Sequence, residues 1–264
     1  MNTLNLNRWK ITIEYDGAPY AGFQIQPDIS TVQGEIQKAI KAFSGQDIAL
    51  TVAGRTDAGV HAYAQIAHFD FEYKTSNGNP REITPHEMCK AINAHLINHP
   101  ISIINAEIVS DNFHARFGAK TKRYQYRILN RPHKSAIHQG RVWWFKRKLN
   151  IEKMRKGAEF FLGQHDFTTF RDTECQAKNP VRTVDKFWIE TTGMMNGQMI
   201  DFFVEGQSFL HHQVRNMVGT LTLIGEGKWQ AQDITAAFEA KDRTAGGPTA
   251  PADGLYLVSI TYDK

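Results

Sequence analysis

The sequence is poor in cysteine, with only Cys89 and Cys175 among 264 residues. Two thiols make no disulfide framework and are too few for a structural zinc site. They read as reduced thiols in a cytoplasmic protein. No stretch approaches the roughly 18 consecutive apolar residues of a membrane helix, and the N-terminal MNTLNLNRWK lacks the apolar core of a secretory signal. The expectation is therefore a cytoplasmic chain with no membrane partner. Phosphate-cradling P-loops and the G-x-G-x-x-G fingerprint are also missing, so triphosphate use and dinucleotide binding lack support. The nearest approach to a nucleophile elbow, Gly206-Gln207-Ser208-Phe209-Leu210, has no second glycine. His86-Glu87 fails as a zinc-protease signature because Lys90 stands at the fifth position. His211 and His212 are adjacent, and on a helix they would diverge by about 100°, a poor arrangement for one metal. Imidazoles can titrate near neutrality, but His61, His68 and His114 have no ligand spacing. No metal site is expected.

What the chain does have is an uneven charge. Its net +4 hides a segment, His114 to Lys156, with 14 Lys or Arg against one acidic residue, Glu152. The remainder holds 17 basic and 26 acidic residues. A basic stripe on an acidic body is the footprint of a polyanion partner. Phe117, Tyr124, Tyr126, Trp143, Trp144 and Phe145 are interleaved with the cations, and aromatic faces stack on unpaired bases. The alternative is a solvated basic face over ordinary core aromatics.

The periodicities are mixed. Trp9, Ile11, Ile13 and Tyr15 alternate as in a strand, and Ala67, Phe69, Phe71 and Tyr73 do the same. Val32 to Phe43 has a helical period, with Ser30 or Thr31 as cap and Gly45 as stop. Thr84–Pro85 opens a second helix, running to about Leu96. Ile101–Val109 and Arg123–Leu129 read as strands, and Ile151–Leu162 as a helix. Val181–Thr192 and Met199–Glu205 read as a hairpin around MMNGQ. Helices are expected at His211–Ile224 and Ile234–Ala240, and a last strand at Leu255–Tyr262. The class is α+β in two similar-sized halves, divided as 1–110 and 111–264.

Three places carry candidate chemistry. In Ala53–Ala62, AGRTDAGVHA, glycines bracket the charged pair Arg55 and Asp57 immediately after an apolar run. Such glycines permit a sharp loop and close approach of a ligand to the main chain. Asp57 there is a nucleophile or base, or else a turn aspartate bonding its own backbone. In Arg123-Tyr124-Gln125-Tyr126, alternation puts both tyrosines on one face, and core packing accounts for at least one of them. In HHQVRNMVG, Arg215 interrupts an apolar helical run; a buried arginine needs a partner, either a structural carboxylate or Asp57.

Seven segments in order resemble the tRNA pseudouridine synthase A family, over essentially the whole chain. They are IEYDG (Glu14–Gly17 at its core), AGRTDAGVHA, FHARF (Phe113–Phe117), KRYQY (Lys122–Tyr126), HDFTTF (His165–Phe170), HHQVRNMVG and KDRTAGGPTAPADGLYL (Lys241–Leu257). Phe23 stands where the family often has tryptophan, and the Lys74–Thr84 loop looks longer than usual. The resemblance implies two α/β halves of ferredoxin-like or RRM-like form, joined into a mixed, mainly antiparallel sheet with a basic RNA-binding cleft. It implies isomerisation of uridine to pseudouridine at positions 38, 39 and 40 of the tRNA anticodon stem-loop, without cofactor, by a homodimer. It assigns Asp57 as the nucleophile on a flipped-out uridine, at ribose carbon 1′ or on the uracil ring. It assigns Tyr124 to stack on that uracil, Arg215 to pair with the aspartate, and Arg55 to stand near the extruded nucleotide. Arg116, Lys122, Arg123 and His211 are candidates for the RNA backbone. The rival from another class is a non-catalytic RNA-binding module. It differs at Asp57, because a binding module has no reason to set a carboxylate beside phosphates.

Overall fold

The computed structural model describes residues 6–74 and 81–263. Residues 75–80 of the Lys74–Thr84 loop lie outside them. The chain forms two compact units, 1–120 with 257–264, and 121–256. This division falls later than the one read at 110/111. Arg8 donates to the Phe113 carbonyl (3.1 Å), Ala115 N–H donates to His68 Nδ1 (3.2 Å), and the Tyr262 hydroxyl donates to the Ala115 carbonyl (2.8 Å). Those bonds tie residues 111–120 to the first unit.

The first unit runs β1 (Asn7–Tyr15), α1 (Val32–Ser44), β2 (Thr51–Val52), β3 (His61–Phe71), α2 (Pro85–Ala94) and β4 (Ile101–Val109). β11 (Leu255–Thr261) returns to it, giving the strand order β4-β1-β3-β11, with β2 on β3. β1 is antiparallel to both β3 and β4. Its alternation buries Trp9, Ile11, Ile13 and Tyr15 as expected. Each buried large side chain contributes about 1.5–3 kcal/mol. The helix ends follow their sequence signals. Thr31 accepts from Gly34 N–H, and Gly45 closes α1 at φ 74° with its N–H on the Lys41 carbonyl. Thr84 and Glu87 form a reciprocal capping box, and Pro85 takes the first turn of α2. Such caps are worth about 1 kcal/mol each.

The second unit contains β5 (Thr121–Asn130), β6 (Trp143–Phe145), α3 (Ile151–Glu159), β7 (Gly163–Asp166), β8 (Val181–Val184), β9 (Lys186–Met194), β10 (Gly197–Gly206), α4 (Gln213–Gly225) and α5 (Asp233–Ala240). β10 pairs antiparallel with β5 and β9, while β6 runs parallel to β5. Both units are therefore α+β, the class the sequence indicates. Several elements differ from their sequence reading, three of them for reasons the backbone shows. α3 stops at Glu159 because its end tightens into three-residue turns and Gly163 then takes φ 90°. The Val181–Thr192 strand breaks at Asp185, whose N–H goes to the Glu205 carbonyl, so that β8 pairs instead with β7. α4 begins at Gln213, two residues late, because His212 sits at φ 60° in the left-handed region.

Candidate active site

The Asp57 loop is held by main chain. Ala53 N–H donates to the Ile66 carbonyl (2.8 Å), and the Gln65 amide donates to the Gly54 carbonyl (2.7 Å). Phe23 N–H donates to the Thr56 carbonyl (3.1 Å). Val60 N–H donates to the main-chain oxygen of Asp57 (3.2 Å), with Gly59 at φ 78° between them. These main-chain bonds close the turn. Two glycines press on it. A β-carbon on Gly17 would lie 2.0 Å from the Val60 carbonyl oxygen, and one on Gly22 would lie 2.9 Å from that of Thr56. Buried Thr56 shares a hydrogen bond with the Tyr15 hydroxyl (2.7 Å). Burial pushes the Tyr15 phenol far above its ordinary pKa, against the opposing effect of that hydrogen bond, so it stays neutral. On this frame Asp57 is half-buried and Arg55 exposed. Buried His61 fixes the far side, its Nδ1 accepting from Gly17 N–H (3.1 Å).

In the second unit the two tyrosines of β5 separate by role. Tyr126 is fully buried and donates to the Pro251 carbonyl (2.7 Å), so it is core. Tyr124 lies opposite Val204 in the β5–β10 register and meets the Phe209 ring edge-on at 5.2 Å. Arg123 is committed to Glu205, which also takes Lys186 at 3.1 Å. Burial alone would raise the Glu205 carboxyl; the hydrogen bonds of Lys186 and Arg123 overcome it and hold the group below the usual carboxylate range. Lys122 is half-buried at the start of the same strand.

Arg215 is half-buried on α4. Its Nε donates to the Ala250 carbonyl (2.7 Å), and Ala250 N–H returns to the Arg215 carbonyl (3.2 Å). A main-chain oxygen, which no side-chain pattern announces, is thus one partner of this arginine. The segment bearing Ala250 lies tight on the helix: a β-carbon on Gly219 would stand 1.7 Å from the Pro248 carbonyl oxygen. Just before α4, the His211 and His212 rings do not diverge. Their centroids are 4.0 Å apart at 32°, because both residues precede the helix and face Asp172. His212 Nδ1 lies 2.5 Å from one carboxylate oxygen of Asp172, and His211 Nδ1 lies 3.8 Å from the other.

The first unit therefore presents Asp57 and Arg55 on one loop and Arg116 on a separate turn. The second presents Tyr124, Lys122 and Arg123 on β5, with His211 and Arg215 at the start of α4. A family model described as tRNA pseudouridine synthase matches residues 11–118 and 158–263. A tRNA pseudouridine synthase A of Caulobacter sp. (strain K31) is 48% identical over 256 residues, 97% of this chain and 98% of the relative. One of Rhodopseudomonas palustris (strain BisB18) is 48% identical over 255 residues, covering 97% and 99%. The chain belongs to the tRNA pseudouridine synthase family.

Family membership makes the chain a pseudouridine synthase, an isomerase. The matched residues include Arg55, Asp57, Arg116, His211 and Arg215 but not Tyr124, which falls in the unmatched interval; the full-length relatives span that interval. Among the described residues, no helix is long and apolar enough to cross a membrane. Sequence reasoning missed four contributors. Gly17 and Gly22 stand outside the candidate chemistry read from the sequence, although both press on the Asp57 turn. Phe209 and Asp172 stand outside the candidate motifs, and only the folded chain sets them against Tyr124 and the two histidines.

Proposed function

We propose that this chain converts uridine to pseudouridine at positions 38, 39 and 40 of the tRNA anticodon stem-loop, with Asp57 as nucleophile on a flipped-out uridine. The observation that carries the reading is the Asp57 turn. Main-chain bonds and two pressed glycines fix it. Rigid placement of a reacting group is worth several kcal/mol of barrier.

The reaction balances internally. The bond from N1 to ribose carbon 1′ breaks, the uracil turns, carbon 5 bonds to carbon 1′, the carbon 5 proton leaves and N1 gains one. The carboxylate adds to the nucleotide, at the sugar or the ring, and is released at the end. Water and cofactor take no part in this balance. Tyr124 offers its ring to the uracil face and its hydroxyl to the departing carbon 5 proton. Extruding a stacked nucleotide costs about a few kcal/mol. Exposed Arg55 holds the extruded strand, and Arg215 binds the substrate. Arg116, Lys122 and His211 meet phosphates, and Arg123 does so as part of its pair with Glu205. The working form in this reading is a cytoplasmic homodimer that holds one tRNA against both subunits.

The test is to treat an unmodified tRNA transcript with the protein and map pseudouridine by carbodiimide adducts and primer extension. Adduct stops confined to positions 38–40 are expected. Stops elsewhere in the tRNA would contradict the assignment.

A further inference from the structure

Residues 111–118 form a loop, and loops ordinarily leave their polar groups to water. This loop is bolted down by side chains of its own unit. Arg8 donates to the carbonyls of Asp111 and Phe113. The Tyr262 hydroxyl donates to the Ala115 carbonyl. Three successive amides end on two imidazoles: Ala115 N–H on His68 Nδ1 (3.2 Å), Arg116 and Phe117 N–H on His114 Nδ1 (3.2 and 3.1 Å). The two rings are themselves packed, with centroids 5.0 Å apart. Gly118 completes the turn, since a β-carbon there would stand 2.9 Å from the His114 carbonyl oxygen.

The loop so fixed holds one large apolar side chain outward. Phe117 is 77% exposed. The His114 ring backs it at 4.4 Å and 32°, and the Arg116 guanidinium stands 5.8 Å from its centre. The exposed residues flanking it in the chain, Asp111, Asn112, Arg116 and Lys120, are all polar or charged. A protein interface buries a contiguous apolar core, which those neighbours do not supply. A single ring on a rigid base, beside a cation, suits a flat partner that carries negative charge next to it. A nucleotide has that form: the base covers the ring and the phosphate meets the guanidinium.

We propose that Phe117, with Arg116, is a stacking platform for an unpaired base of the tRNA, separate from the reacting uridine. This rests on the tRNA reading above and adds a second point of grip. The loop is already ordered, so binding spends nothing on fixing it.

The experiment measures Kd of an unmodified anticodon-arm transcript for wild type, Phe117→Ala, Phe117→Trp and Arg116→Ala across a series of salt concentrations. kcat and KM are taken separately from tritium release at carbon 5, and melting and sedimentation serve as controls. Base–aromatic stacking predicts that Phe117→Ala weakens binding about 5- to 150-fold, raises KM in step, and leaves kcat and the salt slope unchanged. Phe117→Trp restores affinity. Arg116→Ala reduces the salt slope by about one. A Phe117→Ala protein that melts normally and binds like wild type overturns the proposal. So does loss of dimer in that variant, which would make the ring a seat for a second copy. If wild type binds RNA in a Phe117-dependent way yet releases no tritium, the platform stands and the isomerase reading falls.

Discussion

The main chain of Gly17 lies so close to Val60 that a β-carbon on Gly17 would stand 2.0 Å from the Val60 carbonyl oxygen. Val60 closes the turn that carries Asp57. Gly17→Ala must therefore move that turn. Overpacking of this kind costs about 1–3 kcal/mol, and a displacement near 1 Å at a reacting group costs about 100-fold in rate. The variant is expected to melt lower and to lose at least that much in kcat. Normal turnover would mean that the Gly17 contact does not position the carboxylate.

Tyr124 and Tyr126 share one face of β5, and their phenylalanine variants are expected to fail differently. Tyr126→Phe leaves the Pro251 carbonyl without its 2.7 Å donor. That costs about 1–3 kcal/mol, which shows as a few degrees in melting, with kcat intact. Tyr124→Phe removes the proposed proton acceptor and should lower kcat about 100-fold or more. Thermal scans and single-turnover rates on the same preparations separate the two.

Acid should loosen the 111–118 loop. Burial, Arg8 and His114 push His68 below its ordinary value of 6.5, against the influence of Asp70. The unfolded chain then takes up a proton near pH 6.5 that the folded chain resists. Stability is level above that pH, and it falls as pH drops through the folded value. Protonated Nδ1 also cannot accept the Ala115 N–H. Chemical denaturation between pH 7 and 5 should show this decline, and His68→Gln, which accepts but does not titrate, should flatten it. An unchanged profile in the variant would remove His68 as the cause.

The basic stripe is smaller than its sequence suggests. Lys120, Arg123, Arg127, Arg147 and Arg155 pair with Asp263, Glu205, Asp201, Glu226 and Glu152. At most nine of the 14 cations therefore lie outside these pairs. Phosphate contacts by those nine alone correspond to a slope of log affinity against log salt of about −8. Titrations from low to moderate salt test this. A clearly steeper slope would show that cations beyond these nine, the paired ones or Arg55 and Arg215, also meet phosphate, and a flat response would remove the stripe from the interface.

Local signals were legible wherever one residue decides a local geometry. Thr31 and Gly45 bound α1, and Thr84–Pro85 starts α2, because caps and glycine act within one turn of the chain. Asp57 stood out because glycines bracket it. The misreadings come from long-range partners. The break at Asp185 follows from its bond to Glu205, twenty residues away. The late start of α4 reflects the left-handed conformation of His212 beside Asp172, which no helical period encodes. The Ala250 carbonyl on Arg215 is backbone chemistry, invisible in side-chain spacing. Arg8, His68 and Tyr262 hold residues 113 and 115 from distant positions, bonds that no local pattern announces.

The central claim is that the Asp57 carboxylate carries the nucleotide through isomerisation. The most direct test is tritium release from carbon 5 of uridine in an unmodified tRNA transcript, with wild type and Asp57→Ala side by side in chelator. The account predicts release by wild type alone, undiminished by the chelator, with tRNA affinity of the variant within a few-fold. Release by Asp57→Ala at a comparable rate, or none from wild type while tRNA stays bound, would contradict it.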